Sequence, residues 1–231
     1  MSSAASNTKK NILILGSTGP LGALTTQEAL AHHFKITIFV RSPEKLAQEI
    51  KDNQNITARL LTETAKLFPL LPSFSHIVSV LGPQGLSYKG KAISEFYTVL
   101  LQKILTFPTS NRPYVLALST PSQEAPQDTF SLPMYFMLMI FKRVGAGPYS
   151  EIRAITQSFE KYGNGIQWTL YRVGYLTDTV GKGFASAGWI GDERWKLSTS
   201  RSDIARWLIR EVECEESQRK WVGLMPALSE D

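Results

Sequence analysis

Gly16, Gly19 and Gly22 stand three apart in the run Ile12-Leu-Ile-Leu-Gly-Ser-Thr-Gly-Pro-Leu-Gly22, and that residue type at that spacing can cradle a phosphate. A pyrophosphate is held by backbone N–H groups, which reach it only where no Cβ stands in the way. Gly16 suits a tight turn, Gly19 the close approach to the pyrophosphate, and Gly22 the packing of a helix onto a sheet. Ser17, Thr18, Pro20 and Leu21 complete the loop. A second group, Arg41, Ser42 and Lys45, follows the next apolar run, with arginine rather than a carboxylate at its tip. A carboxylate there would accept hydrogen bonds from the ribose of NAD, whereas the planar arginine fork suits a 2′-phosphate. The two groups together predict NADP(H). Ser42 also reads as a helix N-cap ahead of Pro43, and Arg41 and Lys45 as solvated charges, so those structural readings stay open.

A glycine triplet gains specificity only from the elements around it. Here Ile12–Leu15 reads as a buried strand before the loop, and Leu21–Ala31 as a helix after it. Further strands are expected at Ile36–Val40, Ile56–Leu60, Ile77–Leu81, Val115–Leu118, Trp168–Tyr171 and Trp221–Leu224. Helical patterns fill most of the gaps, at Glu44–Lys51, Lys91–Phe107, Ile152–Tyr162 and Asp203–Val212, with a short helix at Thr62–Leu71 ended by Pro72. Such alternation predicts an α/β fold: a Rossmann-type, doubly wound parallel sheet of about seven strands with helices on both faces. Its ligand crevice would lie at the carboxyl ends of the strands. No repeat or linker divides the chain, so residues 11–231 read as one domain with excursions at about 120–150 and 181–200.

Composition narrows the function classes. The net charge of +5 is scattered rather than gathered in a stripe, which argues against nucleic acid. No apolar run is long enough to span a bilayer, so no stable membrane insertion is expected. Met1–Lys10 is small and polar without the apolar centre of a signal peptide, and reads as a disordered leader. Cys214 is the only cysteine, so no internal disulfide can form and a cytoplasmic compartment is expected. The three histidines have no metal-ligand spacing; His32 and His33 suit the end of the first helix, and His76 suits a core or edge position.

Several separated motifs, in order, resemble those of the atypical short-chain dehydrogenase/reductase superfamily, near its NmrA-like and biliverdin/flavin-reductase-like branch. They are Gly16–Gly22, Val40-Arg-Ser-Pro-Glu-Lys-Leu46, Val78-Ser-Val-Leu-Gly82, Ser119-Thr120, Trp168 through Asp178, and Ser202-Asp-Ile-Ala205. The resemblance implies a Rossmann fold and NADP(H). It puts Leu81 and Gly82 beside the adenine–ribose end or its phosphate bridge. It also sets Arg172-Val173-Gly174 in the place of an Arg-Pro-Gly turn against the nicotinamide; Val173 replaces the proline and loses its preset φ. Typical members use a serine and a Tyr-x-x-x-Lys pair for proton transfer. The matching residues here are Ser119 and Tyr149-Ser-Glu-Ile-Arg153. That spacing sets Tyr149 and Arg153 on one helical face. Arginine can supply charge and ribose hydrogen bonds but cannot give up a proton. The structural alternative is that Tyr149 begins a helix, Arg153 is solvated and Asp203 is a first-turn acid.

Phe130–Phe141 is aromatic and methionine-rich, and reads as a core helix, a homodimer contact or a substrate wall, with Tyr135 a weaker candidate proton donor. Gly181–Thr199, with Trp189 and Trp195, reads as a long loop of the kind that carries specificity. These features predict an NADP(H)-dependent oxidoreductase that reduces a carbonyl or conjugated double bond of an apolar small molecule. A cofactor-binding redox regulator and a redox-neutral isomerase or cyclase are the alternatives.

Overall fold

The computed structural model describes residues 10–40, 46, 48–60, 64–181, 183–193 and 195–230. The expected disordered leader and the Arg41, Ser42 and Lys45 group lie outside them, apart from Lys10. In chain order the elements are β1 (Asn11–Leu15), α1 (Pro20–Ala31), β2 (Lys35–Val40), α2 (Gln48–Lys51), β3 (Ile56–Leu60), α3 (Thr64–Leu67) and β4 (His76–Ser79). There follow α4 (Ala92–Leu105), β5 (Tyr114–Ser119), α5 (Leu132–Val144), α6 (Ala146–Tyr162) and β6 (Trp168–Val173). The last part holds β7 (Tyr175–Thr177), β8 (Ser186–Gly188), β9 (Ser198–Ser200), α7 (Arg201–Glu213) and β10 (Ala227–Ser229).

The main sheet has eight strands in the order β3-β2-β1-β4-β5-β6-β10-β8. All its pairings are parallel except β10 with β8. The order reverses between β1 and β4, which is the switch point of a doubly wound sheet. Alternation along β1 explains the two layers of core. Ile12 and Ile14 face the cluster containing Ile204 and Leu208 of α7, while Leu13 and Leu15 face Tyr97 and Leu101 of α4 and Ile155 of α6. Both faces of the strand are dry, as its unbroken aliphatic run requires.

Three elements depart from the expectations. The last strand is Ala227–Ser229, not Trp221–Leu224. Gly223 has φ +74°, and the Leu224 N–H bonds back to the Trp221 carbonyl, so that stretch is a turn touching β6 through a single bridge. Pairing resumes only around Pro226, whose carbonyl accepts the Arg172 N–H at 2.8 Å. The segment before β4 does not stop at Pro72 but tightens into a 3₁₀ helix over Phe68–Ser73. Helix α6 begins six residues before Ile152, because Pro148 in its first turn forfeits only an N–H that would have had no partner there. Phe130–Phe141 contributes to a helix, α5, which starts at Leu132, in keeping with the helical reading among its alternatives.

Candidate cofactor and proton-transfer site

The glycine loop leaves β1 at the switch point. Gly16 takes φ +91°, a conformation that side chains with a Cβ rarely adopt, and a Cβ there would sit 2.9 Å from Val80 Cγ2. The Gly19 N–H closes the turn on the Gly16 carbonyl at 3.1 Å, and Pro20 opens α1. A Cβ on Gly22 would stand 2.1 Å from the Gly16 carbonyl oxygen. The third glycine therefore packs the helix against the loop's own backbone rather than against the sheet. Gly19 is different. Its nearest neighbour to an added Cβ is 3.5 Å away, so nothing in the protein itself requires glycine there. Ser17 is buried and bonded to the Ile14 carbonyl, Thr18 is exposed, and Leu21 is buried beneath the loop. Gly19 caps α1 with no side-chain hydrogen bond. The first turn of a 12-residue helix is thus left open to an anion.

The rim continues along the strand ends. Leu81 lies against Gly16, and a Cβ on Gly82 would touch Leu118 at 3.1 Å, so the ends of β4 and β5 adjoin the glycine loop. Next along the sheet comes Ser119, the last residue of β5, in register with Arg172 of β6. Ser119 is fully buried, and its Oγ has no hydrogen-bond partner in the protein. A buried hydroxyl without a partner costs roughly 1–3 kcal/mol, and the fold's own hydrogen bonds do not offset that cost at Ser119. The glycine loop, Leu81, Gly82, Ser119 and Val173 thus form one contiguous edge.

Gly174 completes that edge for a structural reason. A Cβ on it would meet the Leu197 carbonyl at 2.1 Å, where the Tyr175 N–H bonds to the same oxygen at 2.8 Å. The close approach lets β7 pair with β9. Val173 is buried and pairs with Leu228, so the sheet supplies the backbone restraint that a proline would have provided.

No protein-family model matches this chain, and neither does any curated protein. Solved structures do. A short-chain dehydrogenase/reductase from Veillonella parvula in complex with NADP superposes with a TM-score of 0.72 at 15% identity, covering 96% of this chain and 94% of its own. The oxidoreductase ylbE from Lactococcus lactis gives 0.67 at 16% identity, covering 96% and 91%. ChuY, an anaerobillin reductase from Escherichia coli, gives 0.66 at 12% identity, covering 96% and 97%. The chain has the fold of the short-chain dehydrogenases/reductases.

In this fold α6 ends beside the start of β6, where Gly163 lies against Trp168. Its first turn, with Tyr149, therefore lies at the same end of the sheet as Ser119. Tyr149 is half-buried, and the Lys142 ammonium of α5 lies 5.4 Å from its ring centroid. Arg153 is exposed. Among the described residues no hydrogen bond joins Tyr149 to Arg153 or either of them to Ser119.

Sequence reasoning missed three features around this edge. Glu151, two residues past Tyr149, is buried and accepts from the N–H groups of Ile93 and Ser94 at 2.8 and 2.9 Å and from Ser94 Oγ at 2.8 Å. It caps α4 from another helix, since Lys91 at the N-cap has no side-chain acceptor. The partners are 58 and 57 residues apart, so no local signal exists. Second, Tyr97 and Tyr171 donate to the Ser79 Oγ and carbonyl at 2.6 and 2.8 Å. Burial pushes both phenols well above their ordinary range, so both stay protonated with their hydroxyls committed to Ser79. Third, Arg172 is a buried ion-pair partner of Asp128.

Two predicted structural roles hold. His32 ends α1 and bonds Glu213 at 2.6 Å. Asp203, buried in the first turn of α7, pairs with Arg206 and accepts the Gly183 N–H at 3.1 Å. A cleft of about 570 Å³ opens at the opposite end of the sheet, past His76 and Tyr114, the first residues of β4 and β5. There the Arg219 guanidinium stacks 4.6 Å from the Tyr114 ring and donates to His76 Nε2 at 3.0 Å. That donation leaves the proton on Nδ1, which donates to Ser75 Oγ at 3.0 Å.

Proposed function

We propose that this chain is an NADP(H)-dependent oxidoreductase that reduces a carbonyl or conjugated double bond of an apolar small molecule. The observation that carries the reading is the buried, partnerless Ser119 hydroxyl on the same edge as a glycine cradle. The residues fit the cofactor: the α1 N-terminus with Gly16, Ser17, Thr18, Gly19, Pro20, Leu21 and Gly22 would hold the pyrophosphate, and Leu81 and Gly82 would flank the adenosine. Val173 and Gly174 would back the nicotinamide. Arg41, Ser42 and Lys45 are proposed for the 2′-phosphate, because an arginine fork there favours the phosphorylated ribose. The bound nicotinamide supplies hydride.

The chain's own part is to orient the acceptor and handle the proton. Ser119 Oγ–H would donate to the substrate oxygen and stabilise charge developing on it. Tyr149 Oη would deliver the proton, and Arg153 would supply positive charge near the ribose. Tyr175 and Leu197, both exposed and adjoining Gly174, offer apolar surface beside that turn and support an apolar substrate. The lone cysteine supports the cytoplasm as its compartment. One observation favours a second reading. Arg153 is exposed where a typical member has its working lysine, as expected for a regulator that binds NADP(H) without turnover.

Calorimetric titration with NADPH and NADH tests the cofactor assignment, and the Arg41→Ala variant tests its specificity. The expected result is NADPH binding that weakens at least tenfold in the variant, with weak NADH binding throughout. Absence of binding to either nucleotide overturns both readings. A screen of quinones, enones and flavins then separates them: NADPH consumption identifies the enzyme, and its absence with every acceptor favours the regulator.

A further inference from the structure

Helix α5 carries no charged residue from Leu132 to Phe141, yet only one side of it is covered. Met134, Met137, Leu138 and Phe141 repeat at helical spacing on the inner side, and the first three pack with Ile190 and Ala227. Leu132, Tyr135, Phe136, Met139, Ile140 and Val144 form the outer stripe and are exposed, Phe136 by 57% and Ile140 by 65%. Phe130, just before the helix, extends the stripe, and its ring stands 6.4 Å from Tyr135, which in turn stands 5.9 Å from Phe136. A contiguous apolar face of this kind on a soluble surface marks an interaction site.

Charge decides the occupant. Helix α5 has no acidic residue, and its charged side chains, Lys142 and Arg143, both lie in its last turn and are exposed. Aromatic rings beside basic side chains suit the headgroup boundary of a bilayer, where the rings enter the acyl edge and the cations reach anionic lipid phosphates. A second copy of the chain fits less well. Two α5 faces laid together would offer Lys142 and Arg143 no carboxylate. A helix of 13 residues is about 20 Å long, too short for its stripe alone to reach the roughly 800 Å² per partner of a standard interface. No helix among the described residues is long and apolar enough to cross a membrane, so any attachment through α5 would lie in the plane of the surface.

We propose that α5 docks this protein onto an anionic membrane surface, burying Phe136, Met139 and Ile140 at the headgroup boundary with Lys142 and Arg143 paired to lipid phosphates. The test is co-flotation of the full chain with vesicles of phosphatidylcholine, and with vesicles of phosphatidylcholine mixed with phosphatidylglycerol. The protein floats with the mixed vesicles and is released by salt. Removing one cation, as in Arg143→Gln, lowers partitioning about fivefold. The double variant Phe136→Ser, Ile140→Ser abolishes flotation while its melting temperature and NADPH titration match the parent chain, which separates lost docking from lost folding. Flotation with neither vesicle, or equally with both, overturns the proposal. So does a concentration-dependent dimer in sedimentation that the double variant dissolves while vesicle binding is absent; that result would assign the face to a second copy.

Discussion

Arg172 and Asp128 meet edge to edge beneath the strand ends, the guanidinium fully buried and the carboxylate nearly so. Arg172 Nη2 donates to Asp128 Oδ1 at 2.7 Å, Nη1 to Oδ2 and to the Gln123 carbonyl at 2.9 Å, and Nε to the Met225 carbonyl at 2.7 Å. Asp128 in turn accepts the N–H groups of Ala125 and Ile190 at 2.8 and 3.0 Å. One ion pair thus ties the loop after β5, the excursion before β9 and the approach to β10 to the end of β6.

Asp128→Asn leaves a buried cation without its counter-charge, and should destabilise the protein by about 3 kcal/mol, lowering the melting temperature by roughly 6–12 °C. Replacing both partners, as in Arg172→Met with Asp128→Leu, should recover much of that loss. Burial works to raise the Asp128 carboxyl, but the hydrogen bonds from Arg172, Ala125 and Ile190 and the Arg172 charge hold it below its ordinary 3.8. The unfolded chain therefore binds this proton first. The pair's contribution is complete above that value and is lost as pH falls through the lower folded one. Denaturant melts of both variants across acid pH measure it.

Gly19→Ala and Gly22→Ala should behave oppositely. An added Cβ at Gly22 enters the Gly16 carbonyl, so that variant loses stability, by about 2 kcal/mol or more, and cofactor binding together. At Gly19 the methyl group meets nothing closer than 3.5 Å, so the melting temperature is kept while NADPH affinity falls at least tenfold. Unchanged affinity in Gly19→Ala would show that no phosphate approaches that position.

Ser119→Ala removes a buried hydroxyl that has no internal partner, so stability should hold or rise slightly. Turnover of a carbonyl substrate should nonetheless fall by about 10²-fold, mostly in kcat. Equal activity in the variant would remove Ser119 from the reaction.

His76 stays neutral because burial and the neighbouring Arg219 and Lys10 charges push its pKa from 6.5 down to about 3. Between those values the unfolded chain binds a proton that the folded one does not, so stability is full above 6.5 and falls as pH drops toward 3. His76→Asn should flatten that dependence by up to about 1.4 kcal/mol per pH unit, read from denaturant melts at several pH values.

Much of the sheet was legible because its signals are local. Ile12–Leu15 and Ile36–Val40 are continuous aliphatic or β-branched and aromatic runs, Ile56–Leu60 opens on two β-branched residues, and the observed strands match all three within a residue. The glycine turn was legible for the same reason, since a positive φ at Gly16 and a close approach at Gly22 demand glycine whatever surrounds them. The last strand was misplaced because Trp221–Leu224 carries strand-like residues, while Gly223 and Pro226 shift pairing to the plainer Ala227–Ser229. The tie between Glu151 and the start of α4 left no trace in the order of residues.

Taken alone, the chain's residue order determined the doubly wound parallel fold and the glycine turn after the first strand. Periodicity and backbone conformation act over a few residues, so they can be read along a line. Only the tertiary structure decided that Ser119 is buried without a partner, that Arg172 answers Asp128, and that α5 covers its core with one apolar side and leaves the other exposed. Each of these depends on which distant segments exclude water from a side chain, and that is a property of packing in three dimensions rather than of sequence spacing.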